Sequence, residues 1–144
     1  MIKEFQGEYR WLSNMWPVCI EYKGRKFYNV ENAFHSEKSG DGSFKDFCAH
    51  EVEGRIVKEK QYEMIKLRPD WDLIKFDILL ELTRIKFSQI ELQRKLLATG
   101  DEYLQEGNDW GDTFWGVDNE TGEGQNIFGK ILMTVRQELR NDEK

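Results

Sequence analysis

The stretch Val30 to Lys38, VENAFHSEK, brings an acid, an aromatic ring, an imidazole and an amine close together. On a helix Glu31, Phe34, His35 and Lys38 stand at i, i+3, i+4 and i+7, so the four share one face and form one wall of a pocket. An amine beside a carboxylate suits nucleophilic capture of an electrophilic carbon, provided the amine is desolvated or set near another cation so that enough of it is neutral. The same placement also serves a solvated charged face, with Glu31 and Lys38 complementing the two ends of the helix dipole. His35 alone is more often a hydrogen-bonded core or rim residue, and His50 gives it no ligand spacing, so neither a metal nor a cofactor is expected.

A second constellation is Gly107 to Gly116, GNDWGDTFWG. Its glycines permit close backbone approach, Trp110 and Trp115 can face a ring, and Asp112 can receive or orient a proton. A loop whose tryptophans only seal the core is the alternative. In a third, EYRWLSNMWP, Arg10 can pair with a phosphate while Ser13 and Asn14 offer hydrogen bonds. The glycines of TGEGQNIFGK precede a helix whose N-terminus could also face a phosphate.

The elements that must hold these residues are mostly helices. Val18–Tyr22 and Lys26–Tyr28 read as strands of a hairpin about Lys23-Gly24-Arg25. Asn29 is placed to cap a helix over 30–39 that stops at Gly40-Asp41-Gly42. Shorter helices follow over 44–49 and 55–66. Residues 71–88 repeat apolar side chains at Leu73, Phe76, Leu80 and at Ile74, Ile78, Leu82, Ile85, a broad buried face on a central helix that Asp70 would cap. Helices over 91–99 and 126–139 complete a mainly α fold with a small β-hairpin element, an α+β single domain over residues 1–144.

Bulk composition narrows the classes. The chain has 144 residues, the size of one domain. A net charge of −6 opposes extended binding along a phosphate backbone, where many lysines and arginines would displace counterions. A small anionic ligand in one local pocket, or one modified base, is still compatible with it. No apolar run reaches the roughly 20 residues of a membrane span and no secretory signal is evident, so a cytoplasmic location is expected. Cys19 and Cys48 fit neither a disulfide framework nor a zinc site, and both read as reduced, buried thiols.

Taken in order, YRWLSNMWP, YNVENAFHSEK, Gly54-Arg55, RPDWD, LLATGDEYLQEGNDWGDTFWG and GQNIFGKILMTVRQELR resemble the blocks of the NADAR family, also called YbiA-like, over almost the whole chain. The resemblance implies N-glycosidase chemistry, cleavage of a bond between a ribose anomeric carbon and nitrogen. It implies as substrates ribosylaminopyrimidine phosphates of riboflavin synthesis or ADP-ribosylated guanine, free or in nucleic acid. By position Glu31, Trp71, Asp112 and Trp115 match that family's active-site residues, and Lys38 matches a lysine implicated in a Schiff base with the opened ribose. Arg10, Ser13, Asn14, His35, Arg55, Trp71, Trp110 and Trp115 are then the expected substrate contacts, and Glu31, Lys38 and Asp112 the expected catalysts. Direct displacement assisted by paired carboxylates, without an amine nucleophile, is an alternative mechanism. A module that binds NAD or ADP-ribose without turnover is an alternative function. The chain departs from the pattern at His35-Ser36, where Gln and a small residue are frequent, and at Asn32, where His is common; these differences bear on substrate choice.

Overall fold

The computed structural model describes residues 1–143, which gather into two compact units, residues 14–86 and residues 1–13 with 87–143.

In the first unit, β1 (Ile20–Tyr22) and β2 (Arg25–Phe27) form the expected hairpin. Tyr22 pairs with Arg25, which leaves Lys23 and Gly24 as the turn, with φ of 48° and 83°. Two consecutive left-handed residues match the twist of the strands, and glycine takes this conformation at no steric cost. Helix α1 (Val30–Ser36) begins where expected, the Asn29 side chain accepting the Asn32 N–H. It ends earlier than the expected 39, so Lys38 lies in the turn that follows, its N–H bonded to the His35 carbonyl at 3.0 Å. Then come α2 (Gly42–His50), capped by Asp41, α3 (Gly54–Met64) and α4 (Trp71–Lys86).

The helix expected to be central was α4, yet α1 is the one on which this unit converges: α2, α3, α4 and both hairpin strands pack against it. Every residue of α1 except Glu31 is buried. Seven residues are far too few to be helical alone, so this packing supplies the stability. Several of the buried polar groups are paired in turn. Asn29 Nδ2 donates to the Val52 carbonyl, Asn32 Nδ2 to the Glu51 carbonyl and Ser36 Oγ to the Ala33 carbonyl.

Two expectations for α4 need correction. Of its two apolar stripes, the one carrying Ile78 and Leu82 is buried, whereas Leu73 is 84% and Phe76 43% exposed. Asp70 does not cap the helix with its side chain, because both carboxylate oxygens are taken by the Arg68 guanidinium at 2.6 and 3.0 Å.

In the second unit a 3₁₀ helix (Gly7–Leu12) follows an N-terminal segment that pairs with residues 103–107 through Ile2 and Lys3. Helices α5 (Ile90–Ala98) and α6 (Ile127–Asp142) pack together, and β3 (Gly107–Asn108) runs parallel to β4 (Val117–Asp118). The segment over residues 107–116 thus begins in a short strand and leads into another. Phe5 meets Phe128 edge to face at 5.9 Å and Trp11 meets Phe87 at 6.3 Å, anchoring the N-terminal segment on the apolar side of this unit. Cys48 is buried as expected, but Cys19, next to the first hairpin strand, is exposed. Among the described residues no helix is long and apolar enough to cross a membrane.

Candidate active site

Glu31, in the first turn of α1, is fixed from both sides. Its N–H donates to the Asn14 carbonyl at 3.0 Å, and Gly54, opening α3, lies against its side chain. A Cβ on Gly54 would stand 3.0 Å from Glu31 Cγ, 3.1 Å from its Cβ and 3.2 Å from Met15 Cγ, so glycine is what lets α3 approach this closely. The Glu31 side chain is 16% exposed, and its Oε1 meets His35 Nε2 at 2.8 Å. Burial alone would raise the Glu31 pKa. The neighbouring His35 imidazole, the hydrogen bond from it, and the Lys58 and Lys38 ammonium groups outweigh burial, and the carboxyl titrates below its ordinary value. A carboxylate only accepts, so His35 Nε2 carries the proton. His35 Nδ1 is buried with no hydrogen-bond partner among the described residues.

Lys38 turns inward from the end of α1. Its Nζ lies 5.8 Å from the Phe34 ring centroid, 5.6 Å from that of Trp71, and donates to Gln61 Oε1 at 2.8 Å. Phe34 and Trp71 meet each other at 4.9 Å, tilted by 58°, and form an aromatic wall under the amine. Burial takes the Lys38 pKa down to about 8, with Lys58 and Lys75 pushing the same way and Glu31 opposing them. At pH 7 about a tenth of such an amine is neutral, against fewer than one in a thousand for a free lysine. The desolvation that the sequence reading required of Lys38 is therefore met.

The segment RPDWD explains why the turn bearing Lys38 holds still. Arg68 donates its N–H to the Lys38 carbonyl at 3.0 Å and its Nη1 to the Glu37 carbonyl at 3.3 Å. Asp70 clamps that guanidinium in a fork, and Trp71 supplies the aromatic wall. The Glu37 carboxylate, buried, meets Lys23 at 3.3 Å and Lys45 at 3.7 Å, which fastens the same turn from the hairpin and from α2.

Of the expected residues, Asn14, Glu31, His35, Lys38 and Trp71 come together in this unit. Asn14 contributes through its carbonyl, while its buried Oδ1 has no hydrogen-bond partner among the described residues. Arg55 shares α3 with Gln61 but is exposed and paired with Glu53 at 3.6 Å and Glu59 at 3.3 Å. Arg10, Ser13, Trp110, Asp112 and Trp115 belong to the other unit.

There, Arg10 is exposed, with one long side-chain bond of 3.4 Å to Gln6, and Ser13 ends the 3₁₀ helix. Asp112 organises its loop: Oδ1 accepts the N–H groups of Phe114 and Trp115, each at 3.0 Å. Asn108 steadies the same loop by accepting the Asp112 N–H and donating to the Asp112 carbonyl. Trp115 leans edge-on against Phe114 at 4.7 Å, and Trp110 is 61% exposed. The expected phosphate seat before α6 is already filled. The N–H groups of Gln125, Asn126, Ile127 and Phe128 donate to the carbonyls of Thr113, Gly116, Phe114 and Trp115. Those four donors are therefore already engaged with the loop rather than open to an anion.

Two residues of the site escaped the sequence reading, Gln61 and Lys58, and Gly54 entered it only as part of a block that resembles the family. Helix α3 is mostly polar, and only its buried face, Gly54, Val57 and Gln61 at i, i+3 and i+7, marks it. A glutamine in line with that face was the available signal.

Residues 2–140 match the family model described as NADAR domain. The chain is 33% identical over 132 residues to a riboflavin biosynthesis protein of Vibrio vulnificus, covering 90% of this chain and 35% of that one. It is 46% identical over 77 residues to an N-glycosidase of Nostoc punctiforme, covering 53% of this chain and 48% of the relative. The chain thus spans a third to a half of these two relatives. The N-glycosidase YbiA of Escherichia coli is 29% identical over 126 residues, covering 86% of this chain and 76% of that protein. The NMR structure of Escherichia coli YbiA superposes with a TM-score of 0.85 at 24% identity, over 99% of this chain and 89% of that one, a likeness of fold. With the family model matched across nearly its full length, the chain belongs to the NADAR domain family.

Proposed function

We propose that the protein is an N-glycosidase that hydrolyses the bond between a ribose anomeric carbon and nitrogen through a covalent Lys38 intermediate. The observation that carries the proposal is an inward-turned amine, set over Phe34 and Trp71 in the turn that follows α1, the helix that holds the Glu31 carboxylate against His35. The names of the relatives support the same reaction class, and riboflavin biosynthesis in one of them supports a ribosylaminopyrimidine phosphate as substrate, with ADP-ribosyl-guanine as the second candidate.

The steps balance as follows. The Nζ lone pair forms a bond to the anomeric carbon as the bond to the base nitrogen breaks, and a proton of the new ammonium passes to the leaving nitrogen. The remaining Nζ pair expels the ring oxygen, which takes up a proton from solvent, and leaves an iminium. Water adds to the iminium carbon and gives its proton to Glu31, which returns it to solvent; the carbinolamine hydroxyl proton moves to Nζ as the C–N bond breaks and frees Lys38 and the sugar, with one water consumed overall. A carboxylate that stays ionised suits this part better than proton donation, since it stabilises the cationic carbon and accepts the proton of water.

Incubation with ribosylaminopyrimidine phosphate, ADP-ribosylated guanosine and NAD tests this. Release of free base with ribose phosphate or ADP-ribose from one of the first two is expected. Binding without release across all three identifies a recognition module instead.

A further inference from the structure

Gln61 accepts a hydrogen bond from the amine on which the proposed reaction depends, and its own orientation admits one reading. Gln61 Nε2 donates to the Lys58 carbonyl at 2.9 Å, and a carbonyl can only accept, so the amide oxygen must face Lys38. The side chain is 5% exposed, on a helix whose other buried residues are Gly54 and Val57. A buried amide costs free energy unless both its ends are bonded, and here both are.

We propose that Gln61 is a positioning residue for Lys38: its amide oxygen holds one N–H of the amine so that the nitrogen lone pair stays directed at the substrate, without supplying the charge that would keep the amine protonated. This rests on the reading of Lys38 as the nucleophile. An amide suits the task because it fixes direction with a neutral acceptor; a carboxylate at the same place would stabilise the ammonium.

The charged and titratable groups that face Lys38 come from each helix packed around it: Glu31 on α1, Cys48 on α2, Lys58 on α3 and Lys75 on α4. Cys48 is a neutral thiol at ordinary pH, because burial pushes its pKa up to about 12, so Glu31 is the anion in the set. Burial, helped by the two lysines and opposed by the one glutamate, leaves the balance tipped toward the neutral amine. A second carboxylate at position 61 reverses it.

The test is a pH titration of Lys38 reactivity by reductive methylation with formaldehyde and cyanoborohydride, read by mass spectrometry of the Lys38 peptide, alongside the pH profile of glycosidase turnover. In the wild type both are half-maximal near pH 8, where the amine titrates. In Gln61→Glu both midpoints move up by about one to three pH units, so labelling at pH 7 slows at least tenfold and recovers near pH 10. In Gln61→Met, which has no acceptor, labelling at pH 7 holds or rises while kcat falls and KM stays. A merely structural role lowers stability and kcat without moving a midpoint. Profiles of a folded Gln61→Glu that superpose on the wild type, or a Gln61→Met with full kcat, overturn the assignment of Gln61. Full turnover by Lys38→Arg overturns the nucleophile reading instead and leaves the labelling result intact.

Discussion

Replacing Glu31 by Gln separates the two things its carboxylate does, because they act in opposite directions. The carboxylate is the neighbour that raises the Lys38 pKa, against burial, Lys58 and Lys75. Removing its charge lets that pKa fall below about 8 and enlarges the neutral fraction at pH 7. Since about a tenth is neutral at pH 7 to begin with, the gain has a ceiling of roughly tenfold. Reductive methylation of Lys38, which needs only a neutral amine, therefore quickens by up to about that factor. Glycosidase turnover, which needs an ionised group to stabilise the cationic carbon and take a proton from water, falls by about 10²–10⁴. The amide is nearly isosteric and still accepts the His35 N–H, so circular dichroism and the thermal midpoint control for folding. Turnover that rises in step with labelling refutes a catalytic Glu31; labelling that slows refutes the electrostatic description of the pair.

Other outcomes follow from the same geometry. Lys38→Met abolishes turnover yet raises the thermal midpoint at pH 7: the folded pKa lies below the unfolded one, so the lysine subtracts stability below about pH 8 and ceases to as pH rises past its unfolded value of 10.5, and the gain should shrink accordingly. A lower midpoint for that variant at pH 7 contradicts this. Gly54→Ala sets a methyl 3.0 Å from Glu31 Cγ and 3.2 Å from Met15 Cγ; urea unfolding should show a loss of about 1–3 kcal/mol and activity a loss of tenfold or more, whereas wild-type values would mean that α3 yields freely. Asn126, in the left-handed region at φ 53°, accepts the Glu106 N–H and donates to the Leu104 carbonyl and Tyr103 hydroxyl. Asn126→Ala should cost about 2–4 kcal/mol in urea unfolding, and a loss under about 0.5 kcal/mol would show that these bonds are dispensable.

Much of α1 was legible because its signals are local. Asn29 caps α1 through its own side chain, and the spacing of Glu31, Phe34 and His35 is a property of any helix. Lys38 kept its place on that face although α1 ends before it, because the following turn continues with a helical bond to His35. The hairpin was legible from Lys23-Gly24, whose backbone conformation leaves few alternatives. What could not be read depends on partners distant in the chain. Leu73 and Phe76 have the spacing of a buried stripe, yet α1 and the hairpin lie against another side of α4. Asp70 has the position of a cap, but the guanidinium of Arg68, two residues away, competes for it and wins with two charge-assisted bonds. The glycines before α6 suggested an anion seat, but the carbonyls of residues 113–116 had already taken its donors. Gln61 and Lys58 were invisible because nothing in a polar helix says which of its polar residues points inward.

The most direct test is borohydride reduction during turnover of ribosylaminopyrimidine phosphate, or of ADP-ribosylated guanosine if that is the compound cleaved, followed by peptide mapping. A reduced ribosyl adduct on the peptide bearing residue 38, absent from Lys38→Arg, is the predicted result. Steady release of base with no adduct at Lys38, and undiminished release by the arginine variant, would contradict the account and leave direct displacement as the mechanism.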